Sequence, residues 1–457
     1  MPRAVKGGLV VAILIGALAL RIAEVQGTSY RPINDAGSYL TIASYISRTG
    51  DYSLKRTPGS GAGGTRGPSA YFAPGFPYFL GLVDILDGHK TRRDGAIQPA
   101  RTSQAILGTI TVALIGLVAF EMFGEVAGLV ALVLAAIYPV LIELSAVIVA
   151  ENLLTAFVLA AVYAGLRVRR ARNARTRYAW VAATGVLAGL ATLTHENGVL
   201  ILIPLIPAVW TARPRLKLGA LAAPALLIVV TALTILPWTI RNAVVMHAFI
   251  PVSDETGITL VGTYNVASAA NPQLQYKWRI FYGIPGEHAL IKQSPTLTEP
   301  QISSRLQSQA LHYISDHPFS PFVVAYHNTL RLLEIRGAFA YQASASAIDI
   351  ATNIAWRGIV SFWILCVLAV AGAFTKLARS APKWVWAVPV LLALSVVFVN
   401  VETPRFREPV DPFLILLASA GLATLVARLR RAPVVGQARS AVPAGATQLV
   451  EMVERLA

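Results

Sequence analysis

Residues 218–242 read LGALAAPALLIVVTALTILPWTIRN, and from 218 to 240 no side chain is ionisable. A helix needs about 20 apolar residues to cross the hydrocarbon core of a bilayer, so residues 218–238 satisfy the length of a span. The same reading, carried outward, finds further spans at 7–23, 100–120, 126–142, 146–166, 178–194, 197–212, 357–375, 384–400 and 409–427. The chain of 457 residues is 55% hydrophobic and 14% charged, with a mean hydropathy of +0.59. Soluble chains carry about a quarter charged residues, which excludes a soluble multidomain protein. The expected fold class is an all-α polytopic membrane protein with about ten transmembrane helices.

The 39 Lys+Arg against 23 Asp+Glu give a net charge of +16. In a soluble protein that excess would suggest nucleic acid; here it is mostly topological, and no nucleic-acid partner is expected. Arg167, Arg169, Arg170, Arg172, Arg175 and Arg177 fall in one short connection. Arg213, Arg215 and Lys217 fall in a second, Lys376, Arg379 and Lys383 in a third, and Arg428, Arg430 and Arg431 after the last span. Basic residues in short loops stay cytoplasmic, so one orientation fits all four groups, with both termini inside. Trp180, Trp210, Trp238, Trp356, Trp384 and Trp386 lie at span ends, the depth an amphipathic ring prefers. The first span, with Arg3 and Lys6 before Leu9–Leu20 and the sequence Ala17-Leu18-Ala19, also has the layout of a cleavable signal peptide; it is read here as retained. The single cysteine, Cys366, allows no intramolecular disulfide and no cysteine-based zinc site.

This orientation sends two long segments, 24–98 and 239–356, to the external face. Gly59–Gly67 (GSGAGGTRG) reads as a flexible loop. Tyr39, Leu40, Ile42, Ala43 and Ile46 share one side of a helix over 36–48, as do Ile302, Leu306, Ala310 and Tyr313 over 302–314. Residues 321–335 are apolar too, but Arg331, Glu334 and a length near 15 favour an interfacial helix over a span, which would add to the count.

Ionisable residues near a membrane are functional candidates by default because they are costly there. Those not explained by topology gather on the external side: Asp35, Glu143, Glu151, His195, Glu196, Arg241, Glu402, Arg405 and Arg407. They are far apart in sequence yet share one membrane face, as a reaction joining a lipid-borne group to a second substrate requires. Each also has a structural reading. Asp35 precedes a helix and can cap it, Glu151 can complement a helix dipole, and the arginines can snorkel to headgroups. His195-Glu196 opens an HExxH-like pattern, but position 199 is Val, which removes the zinc reading.

Asn34-Asp35-Ala36-Gly37-Ser38-Tyr39-Leu40, Thr49-Gly50-Asp51-Tyr52 and Tyr71-Phe72-Ala73-Pro74-Gly75-Phe76-Pro77 follow one another after the first span. That order resembles the first external loop of bacterial lipid-dependent glycosyltransferases of the GT-C fold, the family of protein O-mannosyltransferases and of the aminoarabinose transferase acting on lipid A. Leu236-Pro237-Trp238-Thr239-Ile240-Arg241-Asn242, Phe249-Ile250-Pro251-Val252-Ser253 and Pro404-Arg405-Phe406-Arg407-Glu408-Pro409-Val410-Asp411-Pro412 extend the resemblance along most of the chain. It implies a GT-C-like membrane domain over 1–430 with juxtamembrane helices in the first external loop, followed by a cytoplasmic tail over 431–457. It also implies a polyprenyl-phosphate-linked sugar as donor and Asp35 as catalytic base. The sequence departs from the family where many relatives have Asp-Glu in place of Asn34-Asp35. Pro74 stands where the aminoarabinose transferases have Lys, which argues against that specificity.

The resulting expectation is an enzyme of the inner cell membrane that moves a sugar to an acceptor hydroxyl on a glycan, lipid or protein, with inversion. Asp35 deprotonates the acceptor, Arg241 with Arg405 or Arg407 binds the donor phosphate, and Tyr71, Glu151, His195 and Glu196 line the substrate pocket. No cofactor is indicated; a divalent metal is left open. Two readings compete. A transporter or lipid flippase would suit the intramembrane prolines Pro139, Pro204, Pro207, Pro224 and Pro389, but the internal repeat such proteins show is absent from the sequence. A non-catalytic sugar-lipid-binding subunit would bind without turnover.

Overall fold

The computed structural model describes residues 3–55, 66–88, 96–211, 218–284, 287–293 and 296–431. The tail beyond 431, the cations Arg213, Arg215 and Lys217, and all but the end of the Gly59–Gly67 loop lie outside the described residues. Among the described residues six helices are long and apolar enough to cross a membrane: Val5–Gly27, Ile97–Phe123, Glu151–Arg170, Gly219–Met246, Ala355–Ala373 and Asp411–Arg430. The other four sequence-predicted spans also coincide with helices, but with less regular ones. Ala174–Thr194 is long enough but begins with Arg175 and Arg177. Glu196–Val209 starts as a 3₁₀ turn, and Lys383–Val397 is a shorter apolar helix.

The remaining one, expected at 126–142, divides into Glu125–Ile137 and Pro139–Leu144. Pro139 has no N–H to give the carbonyl four residues back, and Arg21 of the first helix supplies the donors instead. Its guanidinium reaches the carbonyls of Ala135 and Ala136, both at 3.3 Å, and Ser145 Oγ at 3.2 Å. Arg21 is fully buried. A charge inside the first span is thus a structural device at a helix break, and the sequence reading did not single it out.

The bundle interior is built largely from Ala, Val and Leu of the helices over 112–168, joined by residues of Asp411–Arg431 such as Phe413, Ile415 and Ala418. Small residues let two of the helices cross closely: at Gly372 an added Cβ would fall on the Leu417 carbonyl. Gly421 lies against the Gly372 backbone, the close approach that glycine permits between membrane helices.

The first long connecting segment forms helices Asp35–Thr49 and Gly75–Leu86, the pair expected from the resemblance. Ala36, Tyr39, Ile42 and Ala43 are buried, as their spacing predicted, and Tyr39 packs edge-on against Phe76 at 5.0 Å. Gly50, at φ 74°, takes the left-handed conformation that ends the first of these helices. Between them an antiparallel pair, Ser53–Lys55 with Arg66–Pro68, is a small exception to the all-helical expectation, and Gly67 belongs to it. The second long segment includes helix Glu299–Asp316, started by a capping box of Thr298 and Gln301. Its Ile302, Leu306 and Ala310 face a separate core with Ile258, Val261, Phe281 and Val324. Residues 321–335, expected as one interfacial helix, give Ser320–Leu332. Trp238, expected as an interface anchor, is instead buried; its indole donates to the Val252 carbonyl at 2.6 Å and packs on Tyr52.

Candidate active site

A cavity of about 680 Å³ opens where the two long segments meet the ends of the bundle helices. Asp35, Tyr71, Glu151, His195, Glu196 and Arg405 all line it, so six of the eight residues given a role at the site converge, and Glu402 stands with them. They arrive from five separate parts of the chain, His195 and Glu196 being neighbours.

Asp35 is the first residue of helix Asp35–Thr49, and the N-cap position belongs to Asn34, which makes no side-chain cap bond. The capping role weighed for Asp35 is therefore not the one it takes. Its Oδ2 accepts from Arg405 Nη1 at 2.8 Å. Arg405 also approaches Glu151 Oε1 and Glu402 Oε2, each at 3.6 Å, and lies over the Phe406 ring with 4.5 Å to its centroid. One guanidinium thus sits among three carboxylates. Glu402 has a second cation, Lys277 Nζ at 3.1 Å. Burial opposes the charge of Glu402, but Lys277 and Arg405 outweigh it and hold its carboxyl below the usual range.

Glu151 opens helix Glu151–Arg170, where its charge also complements the helix dipole. His195 ends helix Ala174–Thr194, its N–H donating to the Ala191 carbonyl at 3.0 Å. Its ring stands edge-on to Phe406, centroids 6.4 Å apart. Glu196 accepts from Ser253 Oγ and lies 3.5 Å from Thr256 Oγ1. Tyr71 packs edge-on against Phe72 at 4.6 Å. Burial and the nearby Glu255 carboxyl raise its phenol well above the ordinary value, so it stays a hydrogen-bond donor at neutral pH.

Two arginines expected at the donor phosphate stand elsewhere. Arg407 is 1% exposed; its Nη1 meets Glu334 at 2.5 Å and its Nε meets Asp411 at 3.0 Å. That pairing turns it away from the cavity, whose lining it does not join. Arg241 does not line the cavity either. Its Nη atoms donate to the backbone carbonyls of Ser69 at 2.7 Å and Tyr52 at 3.0 Å, and it lies over the Trp238 ring at 4.8 Å. Glu143 pairs with Arg357 at 3.7 Å, away from the cavity lining.

The sequence reading missed Glu255 and Lys277. Glu255 lines the cavity, and burial together with Asp35 and Glu196 raises its carboxyl well above the ordinary value. It stands two residues after the Phe249–Ser253 motif, a signal that could have found it. Lys277 carries no such mark.

Among the described residues no group of three or more His, Cys, Asp and Glu is arranged to hold a metal ion. The point on which Asp35, Glu151 and Glu402 converge is taken by Arg405.

The helical membrane bundle, with juxtamembrane helices and charged side chains from both long connections around a polar cavity, is a multi-pass fold of GT-C-like architecture. Residues 73–240 match the family described as dolichyl-phosphate-mannose-protein mannosyltransferase. No curated protein matches the chain. The chain superimposes on the oligosaccharyltransferase AglB of Archaeoglobus fulgidus in complex with an inhibitory peptide and a dolichol-phosphate, with TM-score 0.56 and 15% identity over 93% of this chain and 51% of that one. For the apo form of the A. fulgidus oligosaccharyltransferase the TM-score is 0.58, at 15% identity over 94% and 51%. ArnT of Cupriavidus metallidurans bound to undecaprenyl phosphate is also similar, with TM-score 0.42 and 16% identity over 91% and 77%. The chain spans about half the length of the oligosaccharyltransferase. Asp35 and Arg405 lie outside the segment that matches the mannosyltransferase family.

Proposed function

We propose that the protein transfers a sugar from a polyprenyl-phosphate donor to an acceptor hydroxyl at the external face of the membrane, with Asp35 as general base. The observation that carries this reading is the Asp35–Arg405 pair on the wall of the cavity: a carboxylate able to take a proton, bonded to a guanidinium able to hold a phosphate. The acceptor oxygen attacks the anomeric carbon as the bond from that carbon to the phosphate oxygen breaks. The bonding pair leaves with the polyprenyl phosphate, the acceptor proton passes to Asp35, and the anomeric configuration inverts.

Arg405 serves both ends of this step. Without donor its charge is shared among Asp35, Glu151 and Glu402. An incoming phosphate competes for the same donors, in bidentate geometry that favours guanidinium, and draws Arg405 from Asp35 as it binds. The carboxylate is then free for the acceptor, and the developing phosphate charge is stabilised. Tyr71, Glu151, His195, Glu196 and Glu255 supply polar contacts for the sugar. The acceptor is a glycan, a lipid or a protein.

Transfer is proposed to need no bound metal, because a cation of the protein already occupies the convergence of the three carboxylates. Turnover resistant to chelators is expected; activity that is lost on chelation and restored by a divalent ion would overturn this part. The main test is transfer of radiolabelled sugar from synthetic polyprenyl-phosphate donors by the wild type and Asp35→Asn, with membrane extract as acceptor source. Loss of a positioned base costs about 10² to 10⁴-fold. Normal turnover by Asp35→Asn would end the assignment.

A further inference from the structure

The cavity wall that carries Tyr71 is a turn in which the backbone N–H and carbonyl groups of Ser69 and Ala70 are all engaged by distant residues. Glu299, 2% exposed at the start of helix Glu299–Asp316, places Oε1 2.7 Å from the Ala70 N–H and Oε2 2.8 Å from Ser69 Oγ. Ser69 Oγ in turn accepts from the Tyr71 N–H at 3.0 Å. The Ala70 carbonyl accepts from the Asp254 N–H at 2.8 Å, and the Ser69 carbonyl from Arg241 at 2.7 Å. On the far side the Tyr52 hydroxyl donates to the Phe72 carbonyl at 2.9 Å.

The two turns joined by these bonds, 69–71 and 253–255, come from the two long connecting segments. Each delivers one cavity residue: Tyr71 from the first and Glu255 from the second. Backbone bonds hold each turn at one end, Ser69 N–H to the Tyr52 carbonyl at 3.2 Å and Thr259 N–H to the Glu255 carbonyl at 3.0 Å, and one joins them, Asp254 N–H to the Ala70 carbonyl; the rest of the placement of residues 69–71 comes from side chains that reach across. Glu299 ties the first turn to helix Glu299–Asp316, and Ser303 of the same helix donates to the Asp254 carbonyl at 2.8 Å. Glu299 is 230 residues from Ser69 in sequence, and it does not line the cavity.

We propose that Glu299 is a positioning residue: its carboxylate, with Arg241 as the opposing jaw, clamps the 69–71 turn onto helix Glu299–Asp316 and so fixes Tyr71 at the sugar pocket. Arg241 thereby acts on the site through the backbone it holds. The inference rests on the proposed transfer only for its kinetic consequence; the clamp itself can be read without any turnover.

Hydrogen exchange of the full-length protein in detergent reads the clamp directly. In Glu299→Ala the amides of Ala70 and Tyr71 should exchange at least about tenfold faster, as a locally opened turn does, while amides of Ile97–Phe123 keep wild-type protection. Glu299→Gln should stay close to wild type, because its amide carbonyl accepts from Ala70 and its NH₂ donates to Ser69 Oγ. The kinetic arm is a double-mutant cycle with Tyr71→Ala. Misplacing a substrate-contacting group by about 1 Å costs on the order of 10²-fold, so Glu299→Ala should lower kcat/KM for the donor to that extent in the wild-type background. It should cause no further loss once Tyr71 is Ala. Equal losses in both backgrounds, or unchanged exchange at 70 and 71, overturn the proposal. If Glu299→Ala does not fold, Ser69→Ala removes one arm of the same clamp and is read in the same way. If the wild type transfers nothing, the transferase reading fails and exchange alone decides the clamp.

Discussion

Replacing Arg407 by Met separates a structural arginine from a substrate-binding one. The guanidinium is 1% exposed, donates to Glu334 and Asp411, reaches the Leu332 carbonyl at 3.2 Å, and lies 3.7 Å from the Phe362 ring centroid. Methionine fills much of the volume and makes none of these bonds, leaving two buried carboxylates with no cation between them. Removing one partner of a buried ion pair costs about 3–5 kcal/mol. Tyr138 still donates to Asp411 at 2.9 Å, which places the expectation at the lower half of that range. The assay is the apparent melting temperature of the purified protein in detergent, with binding of polyprenyl phosphate measured below the transition. Arg407→Met should melt well below wild type while its folded fraction binds the lipid phosphate normally. The triple variant Arg407→Met, Glu334→Gln, Asp411→Asn should recover much of the loss, since neutralising the whole group removes the orphaned charges. A variant that melts like wild type yet loses lipid-phosphate binding would return Arg407 to the donor site and refute this reasoning.

Asp35→Asn should abolish transfer without lowering the melting temperature, because Arg405 keeps Glu151 and Glu402 as partners; a collapse in stability would mark Asp35 as structural. Burial, reinforced by the Glu299 charge, pushes the Asp254 carboxyl up from 3.8 to about 7. The folded protein therefore binds the extra proton between those values, stability falls as pH rises through that window, and Asp254→Asn should flatten the slope in melts from pH 5 to 8. Gly372→Val should lower expression and stability sharply, since the side chain would enter the Leu417 backbone; wild-type melting would show that the two helices can separate at no cost.

How much of this was legible in the sequence follows from what each signal depends on. The juxtamembrane helix at Asp35–Thr49 was readable because Tyr39, Ile42 and Ala43 repeat at the helical period and bury one face. Asp35, Glu151, His195, Glu196 and Arg405 could be assembled without knowing any contact, because membrane topology alone puts the ends of alternate helices on one side; Tyr71 came from the resemblance. The break at Tyr138 was not legible: Pro139 signals a kink, but whether the helix bends or divides depends on whether a partner takes up the freed carbonyls, and that partner is Arg21, more than a hundred residues earlier. Glu255 and Lys277 were missed because they lie on irregular loop backbone, where no periodicity says which side chain turns inward.

The arginines mark the limit most sharply. Arg405 and Arg407 stand two apart in one motif, and both were expected at the donor phosphate. They lie on a single 3₁₀ turn, where about three residues complete a revolution. Side chains two apart therefore leave the backbone roughly 120° from one another, so when one faces the cavity the other is turned away from it. Which of the two faces the cavity is decided by the acids waiting on each side: Asp35 and Glu151 for Arg405, Glu334 and Asp411 for Arg407. Three of these four acids are distant in sequence from their arginine, and only Asp411 lies within the same motif. Arg241 fits the same rule from a helix, with backbone carbonyls of another segment taking the place of acids. A guanidinium in a membrane protein is rarely left without acceptors, and its role is set by whether those acceptors can be exchanged for a ligand. Of the three, only Arg405 has partners that open onto a cavity, which is why the donor phosphate is assigned to it alone.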